Sequence, residues 1–168
     1  MLNPVFDFNQ FQDLVVAVTG GGKNGPVGGV GYHVTMAFAR ARARLAIIGR
    51  TPAALERTAG EVRAQGSEVL MVAGDVARAE DLERFFGAIE ERFGRLDLLV
   101  NNAGISGDVR GLCRIVHQRF RYAFNVHLHT QTATRLAAEL MRRGGVRGTI
   151  INVSTYFTSP HRQILRPY

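Results

Sequence analysis

The sequence is poor in cysteine, lysine and long apolar runs, and each shortage excludes a class of protein. Cys113 is the only cysteine, so an internal disulfide and a metal cluster built on cysteines are excluded. No apolar run approaches the roughly 18 residues that a membrane-spanning helix needs. The first residues include Asp7 and Asp13 and lack the basic start of a secretory leader. We therefore expect a cytoplasmic protein with no membrane segment and no metal site.

Lysine is almost absent from a sequence that is otherwise strongly basic. Of 21 lysine and arginine residues only Lys23 is a lysine, and the formal net charge is +7. This charge suits an anionic ligand, but the arginines are scattered along predicted helices, as is typical of solvated faces. Since there is neither a basic block nor an aromatic stacking platform, we expect no nucleic-acid partner.

Short apolar runs alternate with longer helical stretches along the chain. This alternation is typical of βαβ units, in which helices cover both faces of a parallel sheet. The predicted strands are Leu14–Thr19, Leu45–Ile48, Val69–Ala73, Leu96–Asn101 and Thr149–Val153. The predicted helices are Gly29–Ala43, Pro52–Gln65, Ala79–Phe93 and a segment within Arg110–Arg143.

These elements predict one α/β domain over residues 1–168, a Rossmann-type doubly wound parallel sheet with helices on both faces. In such a sheet the ligand lies at the carboxyl ends of the strands. The second predicted helix has clear end signals. Thr51 can cap its first amides, Pro52 occupies a position where no amide is lost, and Gly66 ends it.

A glycine-rich segment from Thr19 to Gly31 joins the first strand to an apolar helix. Glycines in this position let the backbone turn sharply and approach a pyrophosphate. The start of the following helix adds free amides and the positive end of the helix dipole. The position of this segment therefore favours phosphate binding over a merely flexible loop.

Neither of two stricter phosphate motifs accounts for this segment. A P-loop requires Ser or Thr after its Gly-Lys pair and an earlier glycine, whereas Asn24 and Ala17 occupy those positions. A strict G-x-G-x-x-G exists at Gly20, Gly22 and Gly25. That alignment would place three further glycines inside the helix at about 1 kcal/mol each. We therefore predict that the helix starts near Gly29.

Arg50 follows the second strand, where dinucleotide enzymes bind the adenosine ribose, about 20 residues beyond the glycine turn. An acidic residue there would bind the 2′-hydroxyl, whereas arginine pairs with a 2′-phosphate through two parallel hydrogen bonds. The residue favours NADP(H) over NAD(H). The alternative is an ordinary surface arginine at the start of a loop.

Several motifs, in order, resemble those of the short-chain dehydrogenase/reductase family, over nearly the whole chain. They are Thr19-Gly20 with Gly29-Val30-Gly31, Asp75-Val76, Asn101-Asn102-Ala103-Gly104, Asn125, and the run from Gly148 to Thr155. The resemblance implies that the glycine turn and residues 101–104 line the cofactor. It further implies that Asp75 binds the adenine amino group, that Val76 contacts the base, and that Asn125 holds a water in a proton relay.

The sequence departs from the family pattern in its glycine turn and at its catalytic hydroxyl. Eight residues, Gly21 to Gly28, stand where the family has three. Lys23 lies on this enlargement, where it either reaches the 2′-phosphate or is exposed to solvent. Thr155 occupies the position of the family's catalytic serine, and Ser154, one residue earlier, is the alternative.

The family's catalytic tyrosine matches Tyr168, which lies 13 residues beyond Thr155 and is the last residue. The lysine of the family's Tyr-x-x-x-Lys is missing from the sequence. We therefore expect these residues to be the cofactor-binding portion of the family fold, truncated after about five strands. Two hypotheses follow: an NADP(H)-dependent oxidoreductase acting on a carbonyl or alcohol, or a catalytically silent dinucleotide-binding or interaction module.

Two further expectations concern assembly and the histidines. By the resemblance, a full-length protein would form a homodimer or homotetramer. His127 and His129 are two residues apart in a predicted helix, so their side chains diverge by about 200° and cannot chelate one metal. We expect them at solvated or interface positions.

Overall fold

A computed structural model describes residues 8–104 and 117–154 of the chain. In this part, a 3-10 turn at Phe8–Phe11 precedes five strands and four helices. The strands are β1 Val15–Thr19, β2 Arg44–Gly49, β3 Val69–Ala73, β4 Leu98–Asn101 and β5 Thr149–Asn152. The helices are α1 Val30–Arg40, α2 Pro52–Ala64, α3 Ala79–Phe93 and α4 His117–Arg143.

The five strands form one parallel sheet in the order β3-β2-β1-β4-β5. Val16 of β1 pairs with Leu45 on one side and Leu98 on the other. The chain therefore winds outward in both directions from β1, and the order reverses between β1 and β4. This arrangement confirms the predicted Rossmann-type doubly wound sheet, and it places the crevice for a ligand at the carboxyl end of β1.

β1 separates the two halves of the core and is buried along its whole length. Val15 and Ala17 pack with Phe85 on the side covered by α3 and α4. Val16 and Val18 pack with Met36 on the side covered by α1 and α2. Burying each large apolar side chain contributes about 1.5–3 kcal/mol. Because both faces are buried, the strand is a continuous apolar run rather than an alternating one.

Most element boundaries lie within one or two residues of the predicted ones. α1 begins at Val30 with Gly29 at its N-cap, which confirms the predicted start near Gly29. It ends at Arg40 rather than Ala43, because Arg42 takes a left-handed φ of 57°. β4 begins at Leu98 rather than Leu96. Neither end is marked by a glycine or proline, so the sequence carries no local stop signal there.

The ends of α2 confirm one predicted cap and correct another. Gly66 has φ 79° and donates its amide to Arg63 O, while Ser67 N donates to Val62 O, which is the predicted glycine stop. Thr51 is the N-cap residue, but its side chain makes no capping hydrogen bond. Its carbonyl accepts from the amides of Ala54 and Leu55 instead.

Candidate functional site

A cavity of about 510 Å³ opens at the carboxyl ends of the strands, within the size range of small-molecule sites. Its walls come from the glycine turn, the start of α2, the segment after β3 and the segment after β4. Nine of the eleven predicted cofactor residues line it: Gly20, Gly29, Val30, Gly31, Arg50, Asp75, Val76, Ala103 and Gly104. The fold therefore brings together residues that are up to 84 positions apart in the sequence.

Thr19 lies behind the cavity wall rather than on it, and has no exposed surface. Its Oγ1 accepts hydrogen bonds from the amides of Asn102 at 3.0 Å and Ala103 at 2.9 Å. Its carbonyl accepts from Asn102 Nδ2 at 3.0 Å. These three bonds fasten the turn after β4 to the end of β1. Thr19 therefore positions the wall of the cavity.

Asn101 is the second predicted cofactor residue that does not line the cavity. It is buried at the end of β4, and its Nδ2 donates to Asn152 Oδ1 on β5 at 2.9 Å and to Thr134 Oγ1 on α4 at 3.3 Å. Its Oδ1 is buried and has no hydrogen-bond partner among the described residues. The side chain thus links two strands and a helix.

The two ends of the glycine turn touch each other. Gly20 has φ 72°, which favours glycine. A Cβ added to Gly31 would lie 2.3 Å from Gly20 O and 2.3 Å from Asn102 Nδ2. A Cβ added to Gly29 would meet nothing within 4 Å. The turn therefore requires a glycine at position 31, because there is no space for a side chain. At position 29 the space beside the backbone is empty.

The first residues of the enlarged turn, 21–23, lie on α2. Lys23 N donates to Thr58 Oγ1 at 2.9 Å and to Ala54 O at 3.1 Å. Thr58 Oγ1 also contacts Gly21 O at 3.1 Å, and Arg57 Nη2 donates to Lys23 O at 3.1 Å. Residues 21–23 are thus fastened to the first two turns of α2.

The Lys23 side chain completes this attachment. Its Nζ donates to Glu61 Oε1 at 2.7 Å and lies 4.8 Å from the centre of the Tyr32 ring, whose hydroxyl donates to the same carboxylate. These hydrogen bonds lower the pKa of Glu61, and the carboxylate raises the pKa of Lys23. The Lys23 side chain is 21% exposed and pairs with Glu61, so it is not the freely solvated lysine of one alternative, and contact with a 2′-phosphate stays a prediction.

Asp75 is held at the cavity by two local hydrogen bonds. Its Oδ1 accepts from Ala77 N at 3.0 Å, and its own amide donates to Asp81 Oδ2 at 2.7 Å. Asp81 also pairs with Arg84 Nη1 at 2.7 Å. The Asp75 amide and the Arg84 guanidinium lower the pKa of Asp81 below its ordinary value of 3.8.

This pKa predicts an acid-dependent loss of stability. A carboxyl group whose pKa is lowered by folding stabilises the protein above its unfolded pKa, and that stabilisation disappears as the pH falls through the folded pKa. We expect Asp81→Asn to reduce the free energy of unfolding at pH 7 by about 1–2 kcal/mol. The variant should also lose less stability than the wild type between neutral pH and pH values below 3.8.

Urea denaturation at both pH values measures this difference. Glu80→Gln is the control, because Glu80 is on the same helical turn, is 74% exposed and makes only a 3.8 Å ion pair with Arg78. An equal pH dependence in the Asp81→Asn and Glu80→Gln variants would contradict the prediction.

The family assignment comes from the model of the short chain dehydrogenases, which matches residues 14–168. The chain belongs to the short-chain dehydrogenase family. An uncharacterised oxidoreductase of Mycobacterium tuberculosis is 32% identical over 159 residues, which are 90% of this chain and 56% of the relative. The chain spans about half the length of the curated relatives it matches.

Solved structures of other short-chain dehydrogenases have the same fold. L-Sorbose reductase from Gluconobacter frateurii, in complex with NADPH and L-sorbose, superposes with a TM-score of 0.75 at 25% identity, over 84% of this chain and 52% of that one. A short chain dehydrogenase/reductase from Burkholderia phymatum, in complex with NAD, has a TM-score of 0.75 and 28% identity, over 84% of this chain and 49% of its own.

The predicted catalytic residues fall mostly outside the described part of the chain. Asn125 lies within α4, but its side chain is not among those described. Thr155 and Tyr168 lie outside the described residues. β5 ends at Asn152, so Ser154 lies beyond the strand, and side-chain alternation along a strand does not decide between Ser154 and Thr155.

His129 is a residue whose buried position the sequence did not predict. It is 4% exposed, and its Nε2 lies 3.3 Å from Thr19 Oγ1, so the predicted solvated or interface position is wrong. The signal was helical spacing, since Ala133, Ala137 and Leu140 lie on the same buried face of α4.

Among the described residues, no helix is long and apolar enough to cross a membrane, and no cluster of metal-binding side chains occurs.

Proposed function

We propose that this chain binds NADP(H) as the cofactor domain of an oxidoreductase that interconverts a carbonyl and an alcohol. The observation that carries the proposal is the position of Arg50 and Thr51 on the cavity wall, opposite the glycine turn. Arg50 is exposed and follows β2 directly. A guanidinium at this point suits a 2′-phosphate, and the Thr51 side chain is not used to cap α2.

The other walls suit the remaining parts of the cofactor. The open backbone at Gly29, beside the start of α1, leaves room for a pyrophosphate. Asp75 and Val76 would hold the adenine, and Ala103 and Gly104 would line the inner part of the cavity. Solved relatives bound to NADPH and to NAD support a nicotinamide dinucleotide. The choice of NADP(H) depends on Arg50.

The chemistry would be divided between cofactor and protein. Bound nicotinamide supplies hydride transfer, while the protein orients the substrate and moves its proton. Thr155 would hold the substrate oxygen, with Ser154 as the alternative. Tyr168 would exchange the proton and Asn125 would hold a water in its path. Residues 1–168 would form one domain of a cytoplasmic enzyme, which would assemble as a homodimer or homotetramer and bind no nucleic acid.

A second candidate function is a catalytically silent dinucleotide-binding or interaction module. A tyrosine with a pKa of about 10 needs a nearby cation to exchange protons at neutral pH. The sequence has one lysine, and Lys23 pairs with Glu61 on α2. Tyr168 would therefore need a cation other than a lysine of residues 1–168.

Calorimetric titration with NADPH and NADH tests the proposal. We expect NADPH to bind at least about tenfold more tightly than NADH, since a charge-assisted pair contributes about 1.5–3 kcal/mol. Absence of binding to both nucleotides would contradict cofactor binding, and equal affinities would contradict the NADP(H) preference. NADPH oxidation with a panel of aldehydes and ketones separates the two candidates, because binding without turnover favours the silent module.

A further inference from the structure

His129 lies on α4 directly behind the wall of the cavity. Its Nε2 is 3.3 Å from Thr19 Oγ1. The same oxygen accepts hydrogen bonds from the amides of Asn102 at 3.0 Å and Ala103 at 2.9 Å. Both His129 and Thr19 are buried. Three nitrogen atoms therefore surround one hydroxyl oxygen without competition from bulk water.

The number of donors and acceptors fixes the direction of each bond. A threonine hydroxyl has two lone pairs and one hydrogen. The amides of Asn102 and Ala103 can only donate, so they occupy both lone pairs. The contact with His129 must then use the hydroxyl hydrogen, and Nε2 must be the acceptor. A neutral imidazole that accepts at Nε2 carries its proton on Nδ1.

We propose that His129 is a positioning residue for the cofactor cavity. By accepting the hydrogen bond of the Thr19 hydroxyl, it holds both lone pairs of that oxygen towards the amides of Asn102 and Ala103. Those two residues form the cavity wall next to Gly104. The role in cofactor binding rests on the proposed function, whereas the direction of the hydrogen bonds does not.

The same contact connects the cavity to the helix that carries Asn125. His129 lies one helical turn after Asn125 on α4, so the two positions share a helix face. Further along that face, Ala133 and Ala137 are fully buried in the core. The hydrogen bond to Thr19 therefore links α4 to the end of β1.

Two substitutions at position 129 separate hydrogen bonding from packing. His129→Gln retains a side-chain acceptor, whereas His129→Leu fills similar space without one. We expect the His129→Leu variant to bind NADPH about tenfold more weakly, the cost of one buried hydrogen bond, and the His129→Gln variant to stay within about threefold of the wild type. Leu140→Ala is the control, because Leu140 is buried on the same helix and does not contact Thr19.

A second measurement needs no cofactor. Nitrogen-15 spectra of the imidazole rings, with His129 assigned by its loss in the Gln variant, report which ring nitrogen carries the proton. We expect the Nδ1–H form. Hydrogen exchange at the Asn102 and Ala103 amides should accelerate about tenfold in the Leu variant relative to the amides of β1, and remain nearly unchanged in the Gln variant.

An Nε2–H form would overturn the inference. A second result would also overturn it. If the His129→Leu and Leu140→Ala variants lose the same stability and the same NADPH affinity, the role of His129 is structural only. If the wild type binds no NADPH, the proposed function fails. The imidazole spectra and the exchange of the two amides then still decide whether His129 holds Thr19.

Discussion

Replacing Arg50 with glutamine is expected to weaken NADPH binding by about tenfold to a hundredfold and to leave NADH binding within about twofold. The reason is that only NADPH carries the 2′-phosphate, and a charge-assisted hydrogen-bonded pair contributes about 1.5–3 kcal/mol. Glutamine keeps a polar side chain just before α2 and removes the charge. The ratio of the two dissociation constants, measured by calorimetry in one buffer, isolates the phosphate contribution from other effects.

Arg63→Gln is the matched control for Arg50→Gln. Arg63 lies in the last turn of α2, is 53% exposed and pairs with Glu56, so its loss removes the same charge away from the cavity. We expect it to change both affinities equally and only slightly. If Arg50→Gln weakened the binding of NADPH and NADH equally, Arg50 would support the fold of the site rather than bind the 2′-phosphate.

Replacing Gly31 with alanine is expected to lower the free energy of unfolding by about 3 kcal/mol, because the new methyl group would overlap the carbonyl oxygen of Gly20. Gly20 belongs to the backbone of the turn and cannot give way without opening the junction between β1 and α1. For a chain of this size the midpoint of thermal unfolding should fall by about 6–12 °C. Urea denaturation and thermal melts followed by circular dichroism measure both quantities.

Gly29→Ala is the contrasting variant in the same motif. Its backbone has φ −100° and ψ −178°, which alanine adopts freely, and its Cβ would meet no atom within 4 Å. We expect stability to change by less than about 1 kcal/mol. NADPH binding should nevertheless weaken about tenfold or more, because a methyl group there narrows the approach of a pyrophosphate. A loss of stability equal to that of Gly31→Ala would contradict this distinction between packing and ligand access.

Local sequence signals predicted the fold and the wall of the cavity well. Continuous apolar runs marked the buried strands, Gly66 marked the end of α2, and the cluster of glycines marked the junction of β1 and α1. Since parallel strands end at one edge of the sheet, predicting the strands also placed Arg50 at the edge where the cavity lies. The fold and the position of Arg50 needed only chain periodicity and the geometry of a doubly wound sheet, whereas the roles of Asp75 and Ala103 came from the resemblance to the short-chain dehydrogenase/reductase family.

Side-chain pairs between distant elements were not predictable in the same way. Lys23 and Glu61 are 38 residues apart, and Thr19 and His129 are 110 residues apart, so no local pattern pairs them. Thr51 has the right residue type for a side-chain cap, but its carbonyl supplies the cap. For the two distant pairs the partner is set by how the elements pack together, which residue type and spacing alone do not specify.

The attachment of residues 21–23 to α2 matters for any redesign of cofactor choice in this protein. Exchanging residues 50–64 for the matching segment of a relative would remove Thr58 and Glu61 together with Arg50, and residues 21–23 would lose their anchors. The two segments therefore behave as one exchangeable module. A chimera that transfers residues 21–28 and 50–64 together should fold with the glycine turn intact. A chimera that transfers only one of the two segments would lack the hydrogen bonds between them.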